Sequence, residues 1–159
     1  MPVEPNPYDS PALVELRKSQ GDPLVCYIVV RESLGMSPGK IASQVGHGVQ
    51  MLMLRYARLE MSDIENTGRY PGDDARNDPI DVLVQKVQVT RHWIETSYRK
   101  IVLRADDKEW EKLKEQLWCF VVRDAGLTEV ASGSETVLVL WPMRKSEVPK
   151  LVKRLQVLK

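Results

Sequence analysis

Residues 24–58 read LVCYIVVRESLGMSPGKIASQVGHGVQMLMLRYAR, and the change of pattern inside them decides the fold class. Leu24–Arg31 is a continuous, β-branched apolar run, which predicts a strand buried on both faces, as in a parallel or mixed sheet. Two glycines and a proline in SLGMSPGK then make a turn. Ser37 before Pro38 is a helix start, a hydroxyl N-cap followed by proline at the first helical position. From Pro38 to about Arg58, the residues Ile41, Val45, Val49, Leu52, Met53 and Tyr56 recur at three- and four-residue spacing and form one apolar stripe. Gly46 and Gly48 interrupt this helix at about 1 kcal/mol each relative to alanine. Their presence points to a close approach of another element, the sheet, to the helix backbone.

Outward from this unit, Tyr98–Ala105 reads as a strand. Asp106–Gln116 reads as a charged amphipathic helix with Trp110 and Leu113 inward. Leu117–Val122 and Glu135–Trp141 read as further strands, and Ser146–Leu158 as a last helix with Val148, Leu151, Val152 and Leu155 on one side. The order β–α–(insert)–β–α–β–β–α predicts a layered α/β domain with helices over a mixed sheet. Residues 1–23 carry Pro2, Pro5, Pro7 and Pro11, leaving room for only a short helix over Ala12–Ser19. Residues 60–81 set Glu60, Asp63, Glu65, Asp73, Asp74, Asp78 and Asp81 against Arg69 and Arg76 and read as an acidic loop or insertion. VLVQKVQVT after it suits a helix or a strand equally. The expected organisation is an extension over 1–23 and one domain over 24–159, with an insertion at about 59–97.

Composition narrows the class. The 159 residues are 43% hydrophobic and 28% charged, which excludes wholesale disorder and a membrane protein. No run approaches the roughly 18 apolar residues of a membrane helix. The N-terminal residues lack a basic-then-apolar export pattern, so a cytoplasmic address is expected. The net charge of +1 excludes a general electrostatic sponge for nucleic acid but allows a local basic patch. Cys26 and Cys119 each sit in an apolar run and read as buried thiols, not as a disulfide or a zinc site.

Several polar residues are candidates for chemistry. His47 shares roughly one helix face with Gln44 and Lys40; it reads either as a solvated helical histidine or as part of a site. His92 has no such company. Lys40 in the first helical turn suits an incoming anion held by backbone N–H groups and the ammonium together, or is simply solvated. GMSPGK is not a Walker A loop, and no Gly-rich phosphate fingerprint follows a strand, so a nucleotide-binding α/β protein is disfavoured. Asp124 closes a strand, where carboxylates often line the ligand crevice, with Thr128 and Thr136 on either side of the following turn. The alternative is a turn-capping Asp124 and threonines that merely favour strands. Arg144, Lys145, Lys150, Lys153, Arg154 and Lys159 against Glu147 make the C-terminal stretch basic, either solvated or suited to a phosphate backbone.

Two segments, YIVVRESLGMSPGKIASQVGHGVQ and RDAGLTEVASGSETVLVLWP, together resemble the type 2 peptidyl-tRNA hydrolase family. Its members open with an apolar strand, a turn ending in G-K, and a helix reading like K-[IV]-A-x-Q-x-x-H. They close with [RQ]-D-A-G-x-T-x-[IV]-x-x-G-x-x-T-V-L and a helix near the C-terminus. Residues 25–56 and 99–158 fall on that pattern in order. The resemblance implies an α/β fold with a mixed four-stranded sheet flanked by helices, a homodimer, and hydrolysis of the ester joining peptide to tRNA, with no metal and no cofactor. It assigns catalytic positions to Lys40, Asp124, Thr128 and Thr136. The expected substrate-binding residues are Gln44, His47, Arg123, Arg144 and Lys145.

Three departures stand out. Many relatives carry G-K-G-K where this chain has Ser37-Pro38-Gly39-Lys40. A basic residue is common where Leu127 stands, and G-P-G-P is replaced by Trp141-Pro142-Met143-Arg144. With the acidic insert, these departures motivate an alternative, a family member that keeps the fold as a tRNA- or protein-binding adaptor with weakened activity. In the enzymatic reading Asp124 orients water, Lys40 steadies the oxyanion or a phosphate, and the threonines hold Asp124 or the substrate. The basic C-terminal helix, Lys40 and Arg31 are expected to form the tRNA patch.

Overall fold

The computed structural model describes residues 22–68, 78–96 and 98–159. Its elements in chain order are β1 (Leu24–Arg31), α1 (Pro38–Met61), α2 (Ile64–Thr67), α3 (Ile80–Thr96), β2 (Lys100–Ala105), α4 (Asp107–Gln116), β3 (Phe120–Arg123), β4 (Glu135–Val139), β5 (Met143–Arg144), α5 (Lys150–Lys153) and β6 (Gln156–Val157). The sheet order is β3-β4-β1-β2-β6, with β5 pairing on β1. β1 runs parallel to β2 and antiparallel to β4, and β3 is antiparallel to β4. The α/β class holds. The sheet has six strands rather than four, because the two-residue strands β5 and β6 add to its margins.

Alternation along β1 divides the core. Leu24, Cys26, Ile28 and Val30 face one layer with Leu52, Leu59, Leu83, Val87 and Trp93, which come from α1 and α3. Val25, Tyr27 and Val29 face the other with Trp110, Leu113, Val148 and Val152. Cys26 is fully buried, and burial pushes its thiol up to about 12; Cys119 is half-buried, and the two form no disulfide.

Local chemistry explains the element boundaries. Ser37 caps α1 by accepting from the Lys40 N–H, with Pro38 at the first position. Asp106 and Glu109 form a reciprocal capping box on α4, where Trp110 and Leu113 point inward as expected. The buried seam of α1 is Gln44, Gly48, Leu52 and Leu59, one step around from the predicted stripe; Ile41, Val45, Val49, Met53 and Tyr56 flank it, half-buried. The reason is proximity: a Cβ on Gly48 would lie 2.5 Å from Val139 Cγ2, so only glycine lets the helix sit this close to β4. A Cβ on Gly46 would meet no other element within 4 Å, so this glycine marks no close approach.

The segment expected as an acidic loop is partly helical. α1 continues through Met61, and α2 forms one further turn. Arg91 from α3 ties this corner together by bonding Glu60 and Glu65. VLVQKVQVT resolves as helix, with Leu83, Val87, Thr90 and Trp93 on its buried face. The expected helix over Ala12–Ser19, and Arg69, Asp73, Asp74 and Arg76, lie outside the described residues.

Ser146–Leu158 is not one helix: residues Lys145–Glu147 form a 3-10 turn, α5 spans only four residues, and Gln156–Val157 pair with Arg104 and Leu103 of β2. Pro149 disfavours helical backbone at Val148, which is extended (φ −61°, ψ 126°), and so divides the segment. Val148 and Val152 nonetheless reach the core, with Leu151 and Leu155 packed beside them.

Candidate active site

β1, β2 and β3 end at the same margin of the sheet, where β1 leads through a short turn into α1 and β3 runs into Asp124. A cleft of about 660 Å³ opens there, lined from α1 by Lys40, Gln44, His47 and Met51 and from the β3 end by Val121, Arg123, Asp124 and Thr128. Ligands of α/β sheets bind at the carboxyl ends of strands for this topological reason.

The centre is an ion pair between residues 84 positions apart. Lys40 Nζ lies 2.5 Å from Asp124 Oδ2 and 2.8 Å from Thr128 Oγ1. Both charged side chains are about nine-tenths covered, at 10% and 8% exposure. Gln44 Nε2 donates to the same Asp124 oxygen at 2.8 Å, and the Gly126 N–H donates to Oδ1 at 2.8 Å. Lys40, then the Gly126 N–H, hold the Asp124 carboxyl below its ordinary value of 3.8. Asp124 is therefore a carboxylate at neutral pH, suited to aligning a water and weak as a full proton acceptor.

Thr136 fixes the rest of this network. Fully buried, it donates from Oγ1 to Gln44 Oε1 at 2.6 Å. A carboxylate only accepts, so the Gln44 amide must turn its N–H to Asp124 and its oxygen to Thr136. A β-bulge makes this contact possible. Val122 pairs with Val137 and Arg123 with Glu135, so Thr136 is the extra residue between them. Strict alternation from Val137 and Val139, which face α1, would send Thr136 to the opposite layer. The bulge instead turns Thr136 toward α1 and Glu135 toward α4, where Glu135 accepts from Lys114 Nζ at 2.6 Å and Trp110 Nε1 at 3.3 Å.

The loop after Asp124 is closed by Asp124 N–H to Ser134 O and Gly133 N–H to Asp124 O. Gly126 has φ +78°, and a Cβ there would lie 2.3 Å from Ser132 N, so the loop can fold back only on a glycine. Glu129 clips the loop to α1, accepting from Ser37 N at 2.8 Å and Ser37 Oγ at 2.5 Å. The Ser37 hydroxyl, then its N–H, hold Glu129 below the usual range. This alters the expected anion cradle. Pro38 has no N–H, the Lys40 N–H is capped by Ser37, and a carboxylate already stands at the helix start. The Lys40 side chain, rather than the helix terminus, faces the cleft.

The remaining expected residues divide. His47 and Arg123 line the cleft, and Arg123 Nη2 lies 3.1 Å from Glu135. Arg31 turns away to Asp107 at 2.8 Å and stacks over Trp110. Arg144 pairs beside Leu24 at the far end of β1, roughly 23 Å from the site margin at about 3.3 Å per residue. Lys145 and Lys153 line a different groove, with Tyr27 and Val148, so the C-terminal cations do not join the cleft as one helical patch. Nothing in the sequence marks Glu129 and Glu135; their roles depend on a loop closure and a bulge that spacing does not encode.

Residues 24–158 match the family described as Peptidyl-tRNA hydrolase PTH2. The chain belongs to that family. A Methanopyrus kandleri relative named Peptidyl-tRNA hydrolase is 31% identical over 138 residues, covering 83% of this chain and 96% of that protein. A Saccharomyces cerevisiae relative named Peptidyl-tRNA hydrolase 2 is 29% identical, covering 78% of this chain and 53% of that protein. One from Drosophila melanogaster, named Probable peptidyl-tRNA hydrolase 2, is 26% identical and is covered over 60% of its length. In this member of the peptidyl-tRNA hydrolase family, the four positions expected as catalytic converge: Lys40 contacts Asp124 and Thr128, and Thr136 reaches Asp124 through Gln44.

Proposed function

We propose that this chain hydrolyses the ester between peptide and tRNA, with the Lys40–Asp124 pair at the reacting centre. Family membership and the three relatives support the reaction; the convergence of Lys40, Gln44, Asp124 and Thr128 in one cleft supports the assignment of residues. Pro38 occupies a position that helices favour for proline, and Leu127 is 88% exposed on the loop without disturbing the pair. The Lys40–Asp124 pair forms with both of these departures present, which favours the enzyme over the adaptor.

The reaction needs an aligned water, charge stabilisation on the acyl oxygen and a grip on the tRNA end. Asp124 accepts a hydrogen bond from the attacking water and directs its lone pair at the ester carbon. Lys40 Nζ donates to the oxygen that becomes negative. Thr128 Oγ1 accepts from Lys40, which leaves its own proton free to reach the same oxygen or the water. Gln44 and Thr136 act through Asp124 as positioning residues. Arg123 at the cleft rim meets phosphate. The bond between the acyl carbon and the ribose oxygen then breaks; of the attacking water's two protons, one passes through solvent to the leaving ribose oxygen and the other is released as the new carboxyl ionises.

The test is release of an N-acetylaminoacyl group from tRNA by the purified chain and by Asp124→Ala. Turnover lost in the variant with folding intact supports this reading; equal turnover overturns it. We further propose a cytoplasmic homodimer. No helix among the described residues is long and apolar enough to cross a membrane, and the exposed Leu54 and Met61 on α1 favour a covered face. Sedimentation at micromolar protein should give a dimer, and a monomer contradicts it.

A further inference from the structure

The cleft follows a free strand edge. β3 ends the sheet, and among the described residues no strand pairs on its outer side. The pleat identifies which main-chain groups face outward. The Leu140 N–H donates to Tyr27 O at 3.0 Å, so Leu140, and by alternation Leu138, turn their main-chain groups to β1. Val139 and Val137 therefore turn theirs to β3, where Phe120 and Val122 meet them. Asp124 also faces inward, through its N–H to Ser134 O at 2.9 Å. Val121 and Arg123, between them, present N–H and C=O outward.

The cleft is lined both by Val122, whose side chain belongs to the α1 layer, and by Val121, which belongs to the α4 layer. A cavity that touches both faces of one strand lies against its edge. That edge reads Phe-Val-Val-Arg, with no proline and a charge only at its last residue, and it runs directly into Asp124. Exposed edges are usually blunted by charge, proline or a covering element.

We propose that the β3 edge receives the peptide of the substrate as an added strand. This rests on the ester-hydrolase reading above. The esterified end must reach Asp124 at the carboxyl end of β3, so the peptide lies parallel to β3. Val121 C=O takes the N–H of one peptide residue, and the Arg123 N–H takes that residue's carbonyl. The Val121 N–H takes a carbonyl two residues upstream. Recognition through the main chain is indifferent to side chains, which suits an enzyme whose substrates share only a backbone and an ester. Continuity of the edge with the catalytic pair favours this occupant over a second copy of the chain.

The test compares KM for three tRNA esters with the full chain: an N-acetylaminoacyl group, an N-acetylpentapeptide, and the same pentapeptide N-methylated along its backbone. The pentapeptide should lower KM by about tenfold, as expected of about two net hydrogen bonds. N-methylation should erase that gain. Val121→Pro removes one outward N–H, a change that an edge strand accommodates, and should shrink the ratio between short and long substrates; Val121→Ile should keep it. Equal KM for all three esters overturns the proposal even if Val121→Pro fails to fold. A change of oligomeric state in Val121→Pro with an unaltered ratio overturns it in favour of pairing between copies. Absence of turnover on every ester overturns the hydrolase reading, and this proposal with it.

Discussion

Thr136 shows how one buried hydroxyl governs a site it never touches. Its bond to Gln44 Oε1 fixes which end of the amide meets Asp124. Thr136→Val leaves that oxygen buried without a donor, at about 1–3 kcal/mol, and lets the amide turn its oxygen against the carboxylate. We expect kcat/KM to fall about 10–100-fold, with Thr136→Ser close to wild type; steady-state kinetics on N-acetylaminoacyl-tRNA checks both. Lys40→Ala should cost more, about 10²–10³ in kcat, the usual loss for a donor to a developing oxyanion. At this scale the sequence was informative about identity and silent about connection. Lys40 in a first helical turn and Asp124 at a strand end, with Thr128 and Thr136, are candidates from the residues themselves, and the resemblance assigns them to the site; the direction of Thr136 follows from a bulge. Arg144 and Lys145, chosen for charge alone, lie at the far end of β1.

Among the elements, α1 makes the sharpest stability prediction because its two glycines look alike in sequence and differ in surroundings. Gly48→Ala drives a Cβ to 2.5 Å from Val139 and should destabilise by about 1–3 kcal/mol through overpacking. Gly46→Ala meets open space and should stabilise by about 0.5–1 kcal/mol through helix propensity. Urea midpoints at constant slope measure both. Legibility followed the same division. β1 matched its predicted bounds, and the Ser37-Pro38 start of α1 was correct, because a buried strand and a helix cap are written in local chemistry. The apolar stripe of α1 was misplaced by one position because its buried seam contains Gln44 and Gly48, which a count of apolar residues passes over. The C-terminal helix failed because Pro149 outweighs a helical period, and because the outer edge of β2 recruits Gln156–Val157.

For the whole molecule, acid is the informative perturbation. Lys40 beside Asp124, Ser37 beside Glu129, Arg91 beside Glu60 and Ser33 beside Asp107 each hold a carboxyl below its ordinary value, 3.8 for Asp and 4.5 for Glu. Depressed native values mean that the unfolded chain binds protons first on acidification. Their stabilisation is therefore fully present above about pH 4.5 and is lost as pH falls through the lower native values. The urea midpoint should be flat from pH 7 to about 5 and drop below 4.5; a midpoint that rises on acidification contradicts the assignment. Net charge of +1 gives no global steering of tRNA, so binding should depend on a few local contacts. Each neutralised phosphate adds about 0.7–0.9 to the slope of log affinity against log salt, and a slope near zero contradicts phosphate contact.

The central claim is that one ammonium and one carboxylate, brought together by α1 and β3, act as a unit on a peptidyl-tRNA ester. A double-mutant cycle on kcat/KM tests it directly, using Lys40→Ala, Asp124→Ala and the double variant with N-acetylaminoacyl-tRNA. Residues acting as a unit give strongly non-additive losses, so the double variant should be scarcely slower than the worse single one. Losses that multiply, or single variants with wild-type rates, contradict the claim.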